Sequence, residues 1–197
     1  DFLMPGIFAQ NIVFACGITA IGIADDIGKG IIDRFRSLPM ARSAVLTGRS
    51  FADVFYNLGI LVVLMLSGLF VGWRVHTGFP ELLAGVGLLL LFAFAMSWLG
   101  IWLGLMVPSV EVAQQAIFTV LFPITFVSNA FVATASLPTW LQPFAEWNPT
   151  STLTSSLRIL WGNPNPPTGS TSLAATDPIL VTLIWVVVFV AGFGFLA

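Results

Sequence analysis

Charge is scarce in this chain: only 8% of its residues are Asp, Glu, Lys or Arg, while 57% are hydrophobic. A soluble domain carries about 25% charged residues, so a water-facing surface of ordinary size cannot be built from this sequence. A net charge of −2 excludes the basic face that a nucleic-acid partner needs. The single cysteine, Cys16, lies inside an apolar run. It leaves no disulfide within these residues and no thiolate metal site, and it reads as a small packing residue. The single histidine, His76, stands in a short loop without a second ligand at useful spacing. No Gly-x-x-x-x-Gly-Lys-Ser/Thr occurs; Gly28-Lys29-Gly30 is followed by Ile31 and is not a phosphate loop. The long apolar runs hold almost no ionisable group, which argues against a proton-coupled pump, a charge-lined channel or an intramembrane protease.

What is present is apolar sequence in lengths that suit a bilayer, whose hydrocarbon core takes about 20 mostly apolar residues per helix. Such runs occupy about 5–24, 54–72, 82–107, 112–132 and 178–197. They predict an all-α, polytopic transmembrane bundle of five spans in a single transmembrane domain. Pro123 lies within the fourth run and is expected to kink it. Five of the seven basic residues, Lys29, Arg34, Arg36, Arg42 and Arg49, fall in the loop 25–50. Basic loops stay in the cytoplasm, so this loop is expected there and the segment 133–177 outside. The chain begins without Met close to one apolar run and stops within another, and it reads as the middle and late part of a longer membrane protein.

On a helical wheel, Ile27, Ile31, Ile32, Phe35 and Leu38 share one arc, with Lys29, Asp33 and Arg36 opposite. This predicts an amphipathic helix along the membrane face, capped by Asp25 or Asp26 and stopped by Pro39. It serves either as a surface anchor or as a docking face for a partner. Within 133–177, Leu137, Trp140, Leu141, Phe144 and Trp147 recur at helical spacing, with Ser136 as cap. Asn148-Pro149 breaks that helix, and a second runs about 151–161, closed by Gly162. The pair is either a passive cap or a gate, formed by Trp140, Phe144, Trp147, Asn148 and Pro149. Phe118, Phe122 and Phe126 recur every four residues, beside the mild polar groups Thr125 and Asn129 and, on the first span, Asn11. They are packing residues or the lining of a path for an apolar substrate. Gly68-x-x-x-Gly72 and Gly100-x-x-x-Gly104 suit close helix packing, within the chain or against a second copy.

Met4-Pro5-Gly6-Ile7, then Ile21-Gly-Ile-Ala-Asp-Asp-x-Gly-Lys-Gly30, then Asp33-Arg34-Phe35-Arg36-Ser37-Leu38-Pro39 resembles the ABC-2 transporter permease family, especially its daunorubicin-resistance-like drug exporters. Leu137-Pro138-x-Trp140-Leu141, Asn148-Pro149-x-Ser151 and Leu157-Arg158-x-Leu160-x-Gly162 are similar to that family's segment before its last span. Family members usually carry Glu before the glycine where this chain has Asp25 and Asp26. The resemblance implies a six-span permease whose first span precedes Asp1, in a bacterial plasma membrane. It implies that Lys29, Ile31, Arg34, Phe35, Arg36, Ser37, Leu38 and Pro39 form a coupling helix seated in a cytoplasmic ABC ATPase. The permease would pair with itself or a similar subunit and export a hydrophobic drug, lipid or polyketide-like molecule. Catalysis, with ATP and Mg, would belong to the ATPase, and no cofactor is expected on this chain. A membrane enzyme or assembly scaffold that works without ATP is the alternative; Asp25, Asp26 and Asp33 would then be its metal-binding acids.

Overall fold

The computed structural model describes residues 1–31, 42–166 and 170–196. Among these, the ordered elements are helices. Helix α1 spans Leu3–Gly28. Its Pro5 sits in the first turn, where backbone N–H groups have no intrahelical partner to lose. It ends where Gly30 takes φ 67°, a left-handed conformation that glycine adopts without strain. Asp25 and Asp26 therefore lie in the last turn of α1 and do not cap a following helix. Each acid meets a cation instead: Lys29 Nζ is 2.6 Å from Asp25, and Arg49 Nη1 is 3.1 Å from Asp26. Of the expected coupling residues, Lys29 and Ile31 are described, and Arg34, Phe35, Arg36, Ser37, Leu38 and Pro39 lie outside the described residues.

Helix α2, Arg42–Val71, rises from the basic loop, and its apolar part runs Thr47–Val71. Phe55, Val63, Phe70 and Val71 are exposed, as for a helix on the lipid-facing edge. Helix α3, Phe79–Met106, opens with Pro80 in its first turn and is buried along half its length. Helix α4, Val110–Phe126, is capped by Ser109, which accepts from Val112 N–H. Three short pieces follow: a 3-10 turn Thr134–Ser136, helix α5 Gln142–Trp147 and helix α6 Pro149–Leu160. Helix α7, Leu173–Thr176, leads into α8, Pro178–Leu196.

Among the described residues, four helices, α1, α2, α3 and α8, are long and apolar enough to cross a membrane, and α4 is a shorter apolar helix of 17 residues. The fourth run thus forms helix only to Phe126, where the sequence suggested continuation to Val132. Side chains take the carbonyls that would extend it: Asn148 Nδ2 donates to Ile124 O at 2.7 Å, and Ser128 Oγ to Thr125 O at 2.5 Å. The first hairpin helix likewise begins at Gln142 and not near Leu137. Pro143 has no N–H, so it fits a first turn but not a helix interior. Ser136 makes no cap there; its hydroxyl donates to Ala133 O at 2.6 Å.

Helix α1 packs chiefly on α3, and also on α4 and α6, while α8 closes over α3 and α6. The α1–α3 contact is close because α3 presents Gly100 and Gly104 to the backbone of α1 at Cys16 and Ala20. That glycine pair therefore packs within the chain. Phe8, Val13, Leu89, Phe92 and Ile101 fill the core around the contact.

Candidate functional site

A cleft of about 1000 Å³ opens where α1, α3, α4, α8 and the α5–α6 hairpin meet. Met96, Leu99, Trp102 and Leu103 of α3 form one wall, and Val120, Leu121, Pro123 and Ile124 of α4 another. Trp185, Phe189 and Phe193 of α8 complete it, with Trp102 and Phe193 rings 5.1 Å apart and Trp185 stacked on Phe189 at 5.4 Å. Among the described residues, no charged side chain lines the cleft. Such a wall suits a large apolar or aromatic body and offers nothing to a hydrated ion. Two buried groups on the wall, Trp102 Nε1 and Thr150 Oγ1, have no hydrogen-bond partner among the described residues.

The five residues read from the sequence as a gate, Trp140, Phe144, Trp147, Asn148 and Pro149, all border this cleft. Trp140 and Phe144 remain about 70% exposed, so the hairpin edge is greasy on its outer side as well. Asn148 holds the bend between α5 and α6: its Oδ1 accepts from Thr150 N–H at 2.9 Å while its Nδ2 reaches Ile124 O. Trp185 Nε1 donates to Trp147 O at 3.0 Å and ties α5 to α8.

The residues read as a substrate path are placed differently. Phe118, Phe122 and Phe126 are exposed on α4, and none of them lines the cleft, which α4 borders through its other face. Phe122 and Phe126 stack on each other with centroids 4.3 Å apart. Thr125 is fully buried, and its hydroxyl donates to Phe122 O. Asn129 is buried against α6, where Ser151 Oγ accepts from its N–H at 2.9 Å and Ser155 Oγ from its Nδ2 at 2.7 Å. Asn11 is half-buried on α1 and does not border the cleft.

Sequence reasoning passed over the seating of the hairpin. Phe8, Trp73 and Trp161 meet edge to face, with centroids 5.3 to 5.4 Å apart. Trp73 Nε1 donates to Asn163 Oδ1 at 2.9 Å, and Asn163 Nδ2 to Arg74 O at 3.0 Å. His76 N–H donates to Trp161 O, and Thr77 Oγ1 to Leu160 O. Gly162, at φ 63°, makes the turn that brings Asn163 N–H back to Arg158 O. Arg158 itself has no exposed surface. Its Nη2 donates to the carbonyls of Phe2, Asn129 and Ala130 at 3.1 to 3.3 Å, and Nε also reaches Phe2 O. The guanidinium lies 4.0 Å from the centre of the Phe2 ring. Burial pulls its pKa down to about 10, so it remains a cation at neutral pH. One signal for it was legible: Arg158 is the only charged residue between Glu146 and Asp177.

At the opposite end, Arg49 bridges Asp26 at 3.1 Å and Asp53 at 3.5 Å, and Thr19 donates to Asp53 at 2.7 Å. These contacts join α1 and α2 beside the basic loop.

Residues 1–161 match the pattern of the ABC-2 type transporter family. The daunorubicin resistance ABC transporter permease protein DrrB1 of Streptomyces coeruleorubidus is 33% identical over 160 residues, 81% of this chain and 56% of that protein. The chain thus spans little more than half the length of that curated relative. No solved structure matches it. With helices that suit a bilayer, a charge-free cleft and a family match over most of its length, this multi-pass membrane chain belongs to the ABC-2 type transporter family.

Proposed function

We propose that this chain is the membrane-spanning part of an ATP-driven exporter that carries a hydrophobic molecule out across the bacterial plasma membrane. The observation that carries the reading is the uncharged, aromatic-walled cleft bordered by the α5–α6 hairpin, in a chain of this family. The relative's name points to daunorubicin as cargo, and another polyketide-like drug or a lipid shares the apolar bulk that such a cleft takes. A separate ABC ATPase binds ATP and Mg and performs the hydrolysis. It docks on the basic loop, where Lys29, Ile31, Arg34, Phe35, Arg36, Ser37, Leu38 and Pro39 form the contact. Two permease copies, or this chain and a similar one, complete the pathway, and Trp140, Phe144, Trp147, Asn148 and Pro149 close its external end.

The test is affinity purification of the full-length protein from gently solubilised membranes, with daunorubicin uptake measured in inverted vesicles. A stoichiometric Walker-loop ATPase and ATP-dependent uptake are expected. Arg34→Glu with Arg36→Glu should still insert but lose the ATPase and the uptake. Survival of both would overturn the docking assignment. Absence of any ATPase from intact wild-type protein would overturn the transporter reading itself.

A further inference from the structure

We propose that Arg158 is a positioning residue that clasps the hairpin helix α6 to the start of α1 and to the turn after α4, so that movement of α1 is delivered to the hairpin. The inference rests on the exporter reading above.

The clasp joins three segments far apart in sequence. Phe2 O begins α1, Asn129 O and Ala130 O belong to the turn after α4, and Arg158 stands in the last turn of α6. The segments are already in close contact, since a Cβ at Gly6 of α1 would collide with the Ala130 carbonyl. Asn129 is fixed to α6 a second time through Ser151 and Ser155. Helix α1 then runs unbroken for 26 residues, about 39 Å, and carries Asp25 and Asp26 in its last turn beside the basic loop. One rigid element therefore carries the ion-paired loop end and the clasped hairpin end.

The chemistry explains why this residue is arginine. Among the described residues no carboxylate pairs with Arg158, so its charge is compensated by carbonyl dipoles and the Phe2 ring face. A planar guanidinium reaches several carbonyls at once, and a lysine ammonium with its tetrahedral donors does not span the same set. Nη1 is buried and has no partner among the described residues. Those spare donors let the clasp exchange carbonyls as α1 tilts, without leaving the buried charge bare.

The experiment uses the full-length permease with its ATPase in inverted vesicles, reading daunorubicin moved per ATP hydrolysed. Arg158→Gln is expected to assemble and hydrolyse ATP, while transport per ATP falls about tenfold, as expected on losing charge-assisted hydrogen bonds. A purely structural role would lower assembly, hydrolysis and transport together. Arg158→Lys keeps the cation and guards against misfolding of the glutamine variant. Normal coupling in either variant overturns the clasp. Failure of the wild-type protein to couple at all overturns the exporter reading instead. In that event, hydrogen exchange at residues 3–8 and 127–131 decides the clasp: faster exchange in Arg158→Lys supports it, and unchanged exchange overturns it.

Discussion

Alanine placed at Gly100 and at Gly87 makes the same chemical change on the same helix, and the structure assigns the two opposite signs. At Gly100 the new Cβ would lie 2.5 Å from the Cys16 carbonyl oxygen and 3.0 Å from Thr19 Cβ. An ordinary carbon–oxygen contact is about 3.3 Å, so α3 must retreat from α1 by about 0.8 Å. The obstacle is backbone inside a helix, which cannot swing aside as a flexible side chain would. Overpacking of this kind costs about 1–3 kcal/mol, and alanine's better helix propensity returns up to about 1 kcal/mol. Gly100→Ala should therefore lose up to about 2 kcal/mol net. At Gly87 nothing lies within 4 Å of the new methyl, so only the propensity gain acts, up to about 1 kcal/mol. Reversible unfolding in mixed micelles of increasing SDS fraction measures both. If the two variants shift in the same direction by similar amounts, the α1–α3 contact is not the close glycine packing described here.

Trp73→Phe keeps a ring in the Phe8–Trp161 cluster but removes the donor that satisfies buried Asn163 Oδ1. It should cost about 1–3 kcal/mol in the same unfolding assay; an unchanged midpoint would show that the bond contributes little to seating the hairpin. Ile124→Trp places a large ring into the cleft from α4. Daunorubicin uptake should fall about tenfold, equivalent to roughly 1.4 kcal/mol of binding, with ATP hydrolysis retained. Full uptake would move the cargo site away from this cleft.

The apolar runs made the helical bundle legible because length and composition alone decide whether a segment suits a bilayer. Helix ends were less legible. Gly30, Gly72 and Gly162 do end elements, and each is a glycine with positive φ, a local signal. The end of α4 carries no such signal in its own residues. It is set by Asn148, distant in sequence, and by Ser128, which take the carbonyls of residues 124 and 125. The cleft was half legible for the same reason. Periodicity found the aromatic edge of the hairpin at Trp140, Phe144 and Trp147. On α4 it marked the phenylalanine stripe, since large side chains stand out in a sequence, whereas the face that borders the cleft is Val120, Leu121 and Ile124, ordinary for any span.

Helix α6 shows how far composition can mislead about burial. Its sequence, Pro-Thr-Ser-Thr-Leu-Thr-Ser-Ser-Leu-Arg, reads as a helix with one apolar side and one wet side. Every residue from Thr150 to Arg158 is buried. Hydroxyl groups make this tolerable, because they can donate to the carbonyl one turn back and need no water. Thr154 Oγ1 donates to Thr150 O and Ser156 Oγ to Thr152 O, both at 2.7 Å, and Ser156 also meets Thr182 of α8 at 3.2 Å. Apolar side chains at these positions could not hold Asn129 through Ser151 and Ser155 or place a cation among three carbonyls. The polar face thus exchanges nonspecific apolar packing for a fixed register between α6, the turn after α4 and the start of α1. Fixed register is what a hairpin needs if it is to move with the first span and not slide along it.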